Sequence, residues 1–157
     1  MSSRRIRGVW MWLAVAALVA TPLLARPPAS SAERAKVQVY KSPTCGCCQK
    51  WVDHLKSNGY DVSVSNVSDV DPVKRELGVP QGAASCHTAF VGGYFVEGHV
   101  PAEDVARLLA EHPDVAGLAV PGMPLGSPGM EAPNAPPYRV FAVKRDGTMA
   151  VFAEHQP

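Results

Sequence analysis

Residues 36–55 read KVQVYKSPTCGCCQKWVDHL, and this segment determines the fold that the sequence predicts. Its first five residues alternate apolar and polar side chains, which is the period of a β-strand. From residue 48 onward the apolar residues follow the i, i+3, i+4, i+7 spacing of one helix face: Cys48, Trp51, Val52 and Leu55. The segment therefore predicts a strand and a helix, with the motif Cys45-Gly46-Cys47-Cys48 where the helix opens.

The residues that follow continue the alternation of strands and helices. Residues 60–64 alternate apolar and polar side chains as a second strand. Asp71 is the predicted N-cap of a short helix, with Pro72 at its first helical position. Gly92-Gly93 lies between two short apolar runs and predicts a hairpin. A third helix is predicted over residues 101–112.

The order of these elements indicates an α/β protein with a thioredoxin-like core. We assign that core, which carries the predicted metal site, to residues 33–112. A Gly-, Pro- and Met-rich loop is predicted over residues 113–137. Asp146-Gly147 marks a further hairpin, so residues 138–157 are predicted to form a C-terminal hairpin packed on the core.

The first 32 residues have the pattern of a signal peptide. Arg4, Arg5 and Arg7 form a positive start, residues 8–25 carry no charge, and residues 29–32 are small, as a cleavage site requires. We therefore expect export to the periplasm. An uncleaved membrane anchor is the competing interpretation, because the uncharged stretch is at the short edge of a membrane span.

The charge of the predicted mature chain argues against nucleic-acid binding. The whole chain has a formal net charge of +1, but four of its arginines and none of its acidic residues lie in residues 1–32. The remainder therefore carries 11 basic and 14 acidic residues, a net charge of −3. A nucleic-acid-binding protein needs a clustered basic face, and no such cluster is present in the sequence.

The motif at residues 45–48 places three thiols at a helix N-terminus, where the helix dipole and free N–H groups favour the thiolate. Soft thiolates select Cu(I) over hard cations. Adjacent Cys47 and Cys48 point in different directions on a helix, so one tetrahedral ion is poorly placed to collect both together with Cys45. Several ions that share sulfurs would avoid this difficulty. The motif therefore predicts more than one Cu(I) per chain.

Cys86 is the remaining cysteine, 41 residues after Cys45. In a thioredoxin-like fold, the loop before the third strand faces the C-x-x-C turn and usually carries a cis-proline. Here that loop contains Cys86-His87-Thr88. The predicted metal ligands are therefore Cys45, Cys47, Cys48 and Cys86. Two structural disulfides are the competing interpretation, with Cys45–Cys48 and Cys47–Cys86 as the pairing of an oxidised, metal-free form.

Four further residues are candidate accessory ligands: His87, His99, Met123 and Met130. His87 either ligates metal or contacts a sulfur, or else it is a strand histidine bonded to backbone. His99 is expected to be a loop histidine more often than a ligand. The methionines either supply thioethers to Cu(I) or fill space in the loop. His54 is expected to be a solvated helix residue.

The stretch from Val37 to about Pro133 resembles the CopG-like family of exported copper-resistance proteins. The resemblance rests on five motifs, which cover most of the predicted mature chain: residues 42–48 (SPTCGCC), 86–88 (CHT), 96–101 (VEGHVP), 121–124 (PGMP) and 126–131 (GSPGME). It implies a thioredoxin-like fold and copper held by the four cysteines as a cluster. It also implies a role in copper tolerance that extends to Cu(I)/Cu(II) conversion. The resemblance to the family is weaker over residues 138–153.

The sequence therefore supports two functions of different classes. The first is a periplasmic protein that binds Cu(I) for copper resistance, with copper oxidoreductase activity left open. Its partners would be copper ions and other envelope copper-resistance proteins, and it would touch a membrane only through an uncleaved leader. The alternative is a thioredoxin-like thiol–disulfide oxidoreductase. An iron–sulfur carrier is a third hypothesis that no residue pattern favours.

Overall fold

The computed structural model describes residues 35–157. The predicted signal peptide at residues 1–32 lies outside the described residues. Within the described part, no helix has both the length and the apolar character needed to cross a membrane.

The described chain forms one mixed seven-stranded sheet with three α-helices. Its strands run in the order β2-β1-β3-β4-β5-β6-β7. The pairs β1–β2 and β4–β5 are parallel and the other neighbouring pairs are antiparallel. The elements are β1 Lys36–Lys41, α1 Gly46–Ser57, β2 Asp61–Asn66, α2 Asp71–Glu76, a 3-10 turn Gln81–Ala83, β3 His87–Val91, β4 Tyr94–Glu97, α3 Ala102–Glu111, β5 Gly117–Ala119, β6 Tyr138–Val143 and β7 Met149–His155.

The α/β class predicted from the sequence is confirmed, while the thioredoxin-like assignment stays a prediction. One expectation is wrong at the start of the 113–137 loop, because residues 117–119 form β5. This strand pairs with β4 on one side and with β6 on the other, so it joins the C-terminal hairpin to the sheet. Leu118 and its neighbours are buried there. A run of three residues is too short to be recognised as a strand from the sequence.

The second helix begins differently from the sequence expectation. Asp71 is the first helical residue and Val70 occupies the N-cap position, without a side-chain hydrogen bond. The backbone N–H of Asp71 is instead accepted by the Asp69 carboxylate at 2.9 Å. An acidic side chain still satisfies a free N–H group at this end of the helix, but it comes from two residues earlier in the chain.

Helix α1 is fixed on the sheet by its apolar face. Trp51, Val52 and Leu55 are fully buried and pack against β1 residues Val37 and Val39 in the main core cluster. The Trp51 indole N–H donates to the backbone carbonyl of Val100 at 2.8 Å, so a buried polar group is satisfied. Asn58 and Gly59 follow the helix, and Gly59 takes a φ of 89° as the chain leaves it. These contacts determine where the N-terminus of α1 points.

We predict that Gly117→Ala destabilises the protein by about 1–3 kcal/mol, the range for overpacking a filled interior. A Cβ at residue 117 would collide with the backbone carbonyl oxygen and the ring of Phe95 on the neighbouring strand. The matched control is Gly82→Ala, where the nearest atom is a Met149 methyl at 4.0 Å. Urea unfolding of the two variants and the parent gives the comparison. Equal midpoints for both variants would contradict the close packing of β5 on β4.

Candidate metal centre

Helix α1 begins within the cysteine motif, and its first turn presents the thiols. Cys45 is the N-cap, and its sulfur accepts the backbone N–H of Cys48 at 3.3 Å. The first turn contains no acidic residue. The positive end of the helix therefore faces these sulfurs with no carboxylate of the same turn beside them.

The structure brings the four predicted cysteines together. Their sulfurs all lie within 4.8 Å of one another. The Sγ atoms of Cys45 and Cys47 are 3.5 Å apart, and those of Cys48 and Cys86 are 3.4 Å apart. Two thiolates on one tetrahedral ion are separated by about 3.8 Å when the metal–sulfur bonds are about 2.3 Å. The sulfurs are thus near ligand spacing without a large movement of the backbone.

The cysteines are described in a partly oxidised form. Cys45 and Cys48 form a disulfide, while Cys47 and Cys86 are free. Of the two bridges in the competing structural interpretation, one is present and the other is not. Reduction of this one disulfide gives four thiols that lie close together in space. The disulfide is therefore compatible with a metal site in the reduced protein.

A buried carboxylate holds the loop that carries Cys86. Glu97, at the end of β4, is fully buried and accepts the backbone N–H of Ser85 at 2.6 Å. It also accepts hydrogen bonds from the Lys74 ammonium and the Thr88 hydroxyl. Lys74 in turn donates to Thr88 at 2.8 Å. Because Ser85 precedes Cys86, this network fixes the backbone from which the fourth sulfur projects.

The loop is also held from its other side. Ser85 forms a parallel bridge with Gly122, and the Gly122 N–H donates to the Ala84 carbonyl at 3.0 Å. At Gly98 a side chain would meet Ser85, so glycine lets β4 approach the loop closely. The Cys86 loop therefore lies between the end of β4 and the first Pro-Gly-Met sequence, residues 121–123.

Burial and the neighbouring Cys47 sulfur raise the pKa of the Cys86 thiol to about 11. Cys86 is therefore protonated at neutral pH in the metal-free protein. A metal ion must displace this proton, so metal binding at Cys86 releases one proton and strengthens as the pH rises.

Both candidate histidines, His87 and His99, lie beside the sulfur of Cys86. Its sulfur is 3.2 Å from His99 Nε2 and 3.4 Å from His87 Nδ1. His87 and His99 are both fully buried. His99 lies in the loop after β4, as expected, but this loop folds it inward against Cys86. A part for His99 in metal binding stays a prediction.

Burial lowers the pKa of both imidazoles, and for His87 the neighbouring His99 lowers it further. Neutral imidazole is the form that binds metal. His54 is also placed differently from the expectation. It is half-buried and its Nε2 accepts the Ala102 backbone N–H at 3.1 Å, so it joins α1 to the start of α3 instead of standing in solvent.

The second Pro-Gly-Met sequence, residues 128–130, covers the first turn of α1. At Gly129 an added Cβ would lie 2.8 Å from the Cys47 carbonyl and 3.0 Å from the Trp51 backbone nitrogen. Met130, the next residue, is half-buried. Met123 has 51% of its surface exposed. A part for either methionine in metal binding stays a prediction.

The donor set fits a soft metal. Four sulfurs and two neutral imidazole nitrogens are available around Cys86 and the α1 N-terminus, and thiolate and imidazole are the ligands that copper prefers. No carboxylate belongs to either group of potential ligands found among residues 35–157. Hard cations such as Mg²⁺ and Ca²⁺ need oxygen ligands, so the site does not suit them.

Comparisons with known proteins agree with this chemistry. Residues 83–130 match the family described as "Protein of unknown function, DUF411". A solved structure named copper resistance protein CopG, form 2, is 45% identical, with a TM-score of 0.75; the match covers 79% of this chain and all of that one. Form 1 of the same protein is 44% identical, with a TM-score of 0.74, and the match covers 80% of this chain and all of that one. None of the curated proteins matched the chain.

We predict that Glu97→Gln destabilises the protein by about 3–5 kcal/mol, because it leaves Lys74 buried without its negative partner. The double variant Lys74→Met/Glu97→Gln should recover most of this loss, since the amide oxygen of glutamine still accepts the Ser85 N–H. The control is Glu154→Gln, which breaks an exposed ion pair with Arg139 and should cost no more than about 1 kcal/mol. Urea unfolding measures all three.

A Glu97→Gln variant as stable as Glu154→Gln would show that the buried ion pair does not hold this part of the fold.

Proposed function

The chain belongs to the CopG-like copper-resistance family, and on that premise we propose that its four cysteines hold more than one Cu(I) in a thiolate cluster. The observation that supports this most directly is the convergence of four sulfurs within 4.8 Å at one helix N-terminus. Cys45, Cys47 and Cys48 come from a single helical turn, and Cys86 comes from the loop before β3. Sulfur atoms this crowded satisfy several Cu(I) ions best by bridging between them.

The arrangement of the sulfurs favours several ions joined by shared sulfurs and not one ion enclosed by all four. Besides the Cys45–Cys48 disulfide, two short separations between non-bonded sulfurs join different pairs, Cys45 with Cys47 and Cys48 with Cys86. Each pair lies near the spacing of two ligands on one ion, and the two pairs adjoin each other. Two or more ions can then share sulfurs between the pairs.

The proposal includes electron exchange with copper. Two Cu(II) ions accept one electron each and become Cu(I), while the thiolates of Cys45 and Cys48 lose two electrons in total and form a disulfide. The Cys45–Cys48 bond in the structure is the protein product of such a step. An external dithiol, or another donor of two electrons, would then restore both thiolates for metal binding.

We place this function in the periplasm, where disulfides form and persist. The leader-like pattern of residues 1–32 supports this location. Holding Cu(I) as thiolate there would limit its reaction with oxygen. Other copper-resistance proteins of the envelope are the proposed partners for copper exchange.

We predict that the fully reduced protein binds more than one Cu(I) per chain, and that Cys86→Ser weakens binding nearly as much as Cys45→Ser. Both residues supply a sulfur to the same group, so loss of either opens the cluster. Anaerobic titration against a coloured Cu(I) chelator measures the number and affinity of the bound ions. Met149→Leu on β7 removes an exposed sulfur outside this group and serves as the control.

An endpoint at one Cu(I) would contradict the cluster, and no binding after full reduction would contradict the metal site altogether. If Cys86→Ser retained copper like the parent while Cys45→Ser did not, Cys86 would lie outside the site.

Thiol–disulfide exchange is the second candidate function, because a Cys45–Cys48 disulfide at a helix N-terminus is the arrangement that such enzymes use. Two observations weigh against it. The Cys86 sulfur lies 3.4 Å from Cys48 Sγ, where a substrate would need access. Where such enzymes usually have a cis-proline, the loop before β3 contains Cys86-His87-Thr88 and no proline.

We predict that the protein reduces insulin with dithiothreitol far more slowly than thioredoxin does, in both copper-free and copper-loaded forms. The crowded sulfurs obstruct an incoming disulfide, and bound Cu(I) occupies the attacking thiolates. The turbidity of precipitating insulin reports the rate. Turnover near that of thioredoxin in the copper-free form, abolished by copper, would mean that the cysteines are an exchange site that copper inhibits.

A further inference from the structure

Lys41 is a buried cation at the end of β1, shortly before the cysteine motif begins. Only 3% of its surface is exposed. Its side chain lies on the same face of the sheet as Val37 and Val39, which alternate along β1 with half-buried residues. That face carries α1. The Lys41 side chain therefore lies against the turn that leads from β1 into this helix.

The ammonium group of Lys41 is joined to the cysteine motif through one carbonyl. Its Nζ donates to the backbone carbonyl of Ser42 at 3.2 Å, and the same oxygen accepts the backbone N–H of Cys45 at 3.2 Å. Nζ is therefore no farther than twice this distance from the Cys45 nitrogen. A full positive charge thus lies close to the partial positive charge of the α1 N-terminus, where the sulfurs converge.

Lys41 is also close to the loop that supplies the fourth sulfur. It pairs with His87 across the neighbouring strands β1 and β3, and His87 directly follows Cys86. Its charge therefore lies between the turn that presents three cysteines and the loop that presents Cys86.

This cation has no carboxylate partner in the part of the chain that the structure describes. Among residues 35–157, no ion pair within 4.0 Å includes Lys41. Lys74, the other buried lysine of this part, pairs with Glu97. A buried charge without an opposite charge beside it lowers stability, and proteins accept such a cost mainly at functional sites. Ionised thiols at the α1 N-terminus would supply the missing negative charge.

We propose that Lys41 is a positioning residue of the metal centre, whose buried ammonium stabilises the negatively charged thiolate form of the cysteines. This role rests on the proposed function in one respect, since thiolate is the form that binds copper. Opposite charges attract each other more strongly near a protein interior than in water. The Cys45–Cys48 disulfide is neutral, so Lys41 favours the reduced cysteines over this disulfide.

The reduction equilibrium of the Cys45–Cys48 disulfide tests this role in the metal-free full chain. Two glutathione molecules reduce the disulfide to two thiols and form one oxidised glutathione. A mildly alkaline pH keeps thiolates populated, and mass spectrometry after alkylation identifies the reduced cysteines. We expect Lys41→Met to lower the equilibrium constant for reduction about tenfold, which makes the reduction potential about 30 mV more negative.

The matched control is Lys56→Met, which removes an exposed positive charge from the last turn of α1. It lies at the opposite end of the helix from the cysteines and should leave the reduction equilibrium unchanged. Lys41→Gln is the second test variant. Its amide can still donate to the Ser42 carbonyl but carries no charge, so it should shift the equilibrium in the same direction as Lys41→Met.

Urea unfolding of the oxidised protein separates this role from a purely structural one. Replacing an unpaired buried charge by an apolar side chain of similar length should leave the free energy of unfolding unchanged or raise it. A lysine that served the fold alone would give the opposite pattern. Its replacement would lower the free energy of unfolding and leave the reduction equilibrium as it is in the parent.

That opposite pattern, or a Lys41→Met variant that is reduced as readily as the parent, would overturn the proposal. A parent-like equilibrium in Lys41→Gln would overturn it as well, because the hydrogen bond to Ser42 and not the charge would then matter. This failure is distinct from failure of the proposed function, which is decided by Cu(I) binding to the parent chain.

Discussion

The hydrogen bond from the Ser85 N–H to the buried Glu97 carboxylate is the interaction on which the candidate site depends. It ties the loop before β3 to the end of β4 and sets the position of the next residue, Cys86. The apolar face of α1 sets the positions of the other three cysteines independently, through Trp51 and its neighbours. The site exists because these two constraints meet at the same end of the neighbouring strands β1 and β3.

Burying the charged side chains of Glu97 and Lys74 costs desolvation free energy. Burial raises the pKa of the Glu97 carboxyl, while Lys74 and the hydrogen bonds to it act in the opposite direction. A buried ion pair is weak evidence for stability by itself, because an apolar pair of similar size often serves the fold as well. Here the carboxylate also satisfies the N–H of a loop residue beside a candidate ligand. A third group, Thr88, completes its hydrogen bonds.

Much of the fold was predictable from local pattern. The strand and helix of residues 36–57 follow from the two periodicities of the opening segment, and the hairpins follow from Gly92-Gly93 and Asp146-Gly147. The grouping of Cys86 with the three motif cysteines followed from the expected topology. Strand β5 was missed because three small or apolar residues within a Pro- and Gly-rich stretch carry no period. Its structure comes from pairing with β4 and β6, which lie far away in sequence. The burial of His99 and the role of Glu97 were missed for the same reason, since both depend on contacts made after β4 pairs with β3.

We propose that several Cu(I) ions share the four sulfurs. X-ray absorption at the copper edge, on the anaerobically reduced full chain loaded with Cu(I) to its titration endpoint, tests it most directly. We expect copper bound mainly to sulfur, with a second copper atom as a strong scatterer just beyond the directly bound ligands. The sulfur signal should fall and the copper–copper signal should be lost in Cys86→Ser. A spectrum of copper bound by sulfur with no neighbouring copper, or of copper bound only by nitrogen and oxygen, would show that the sulfurs are not shared between Cu(I) ions.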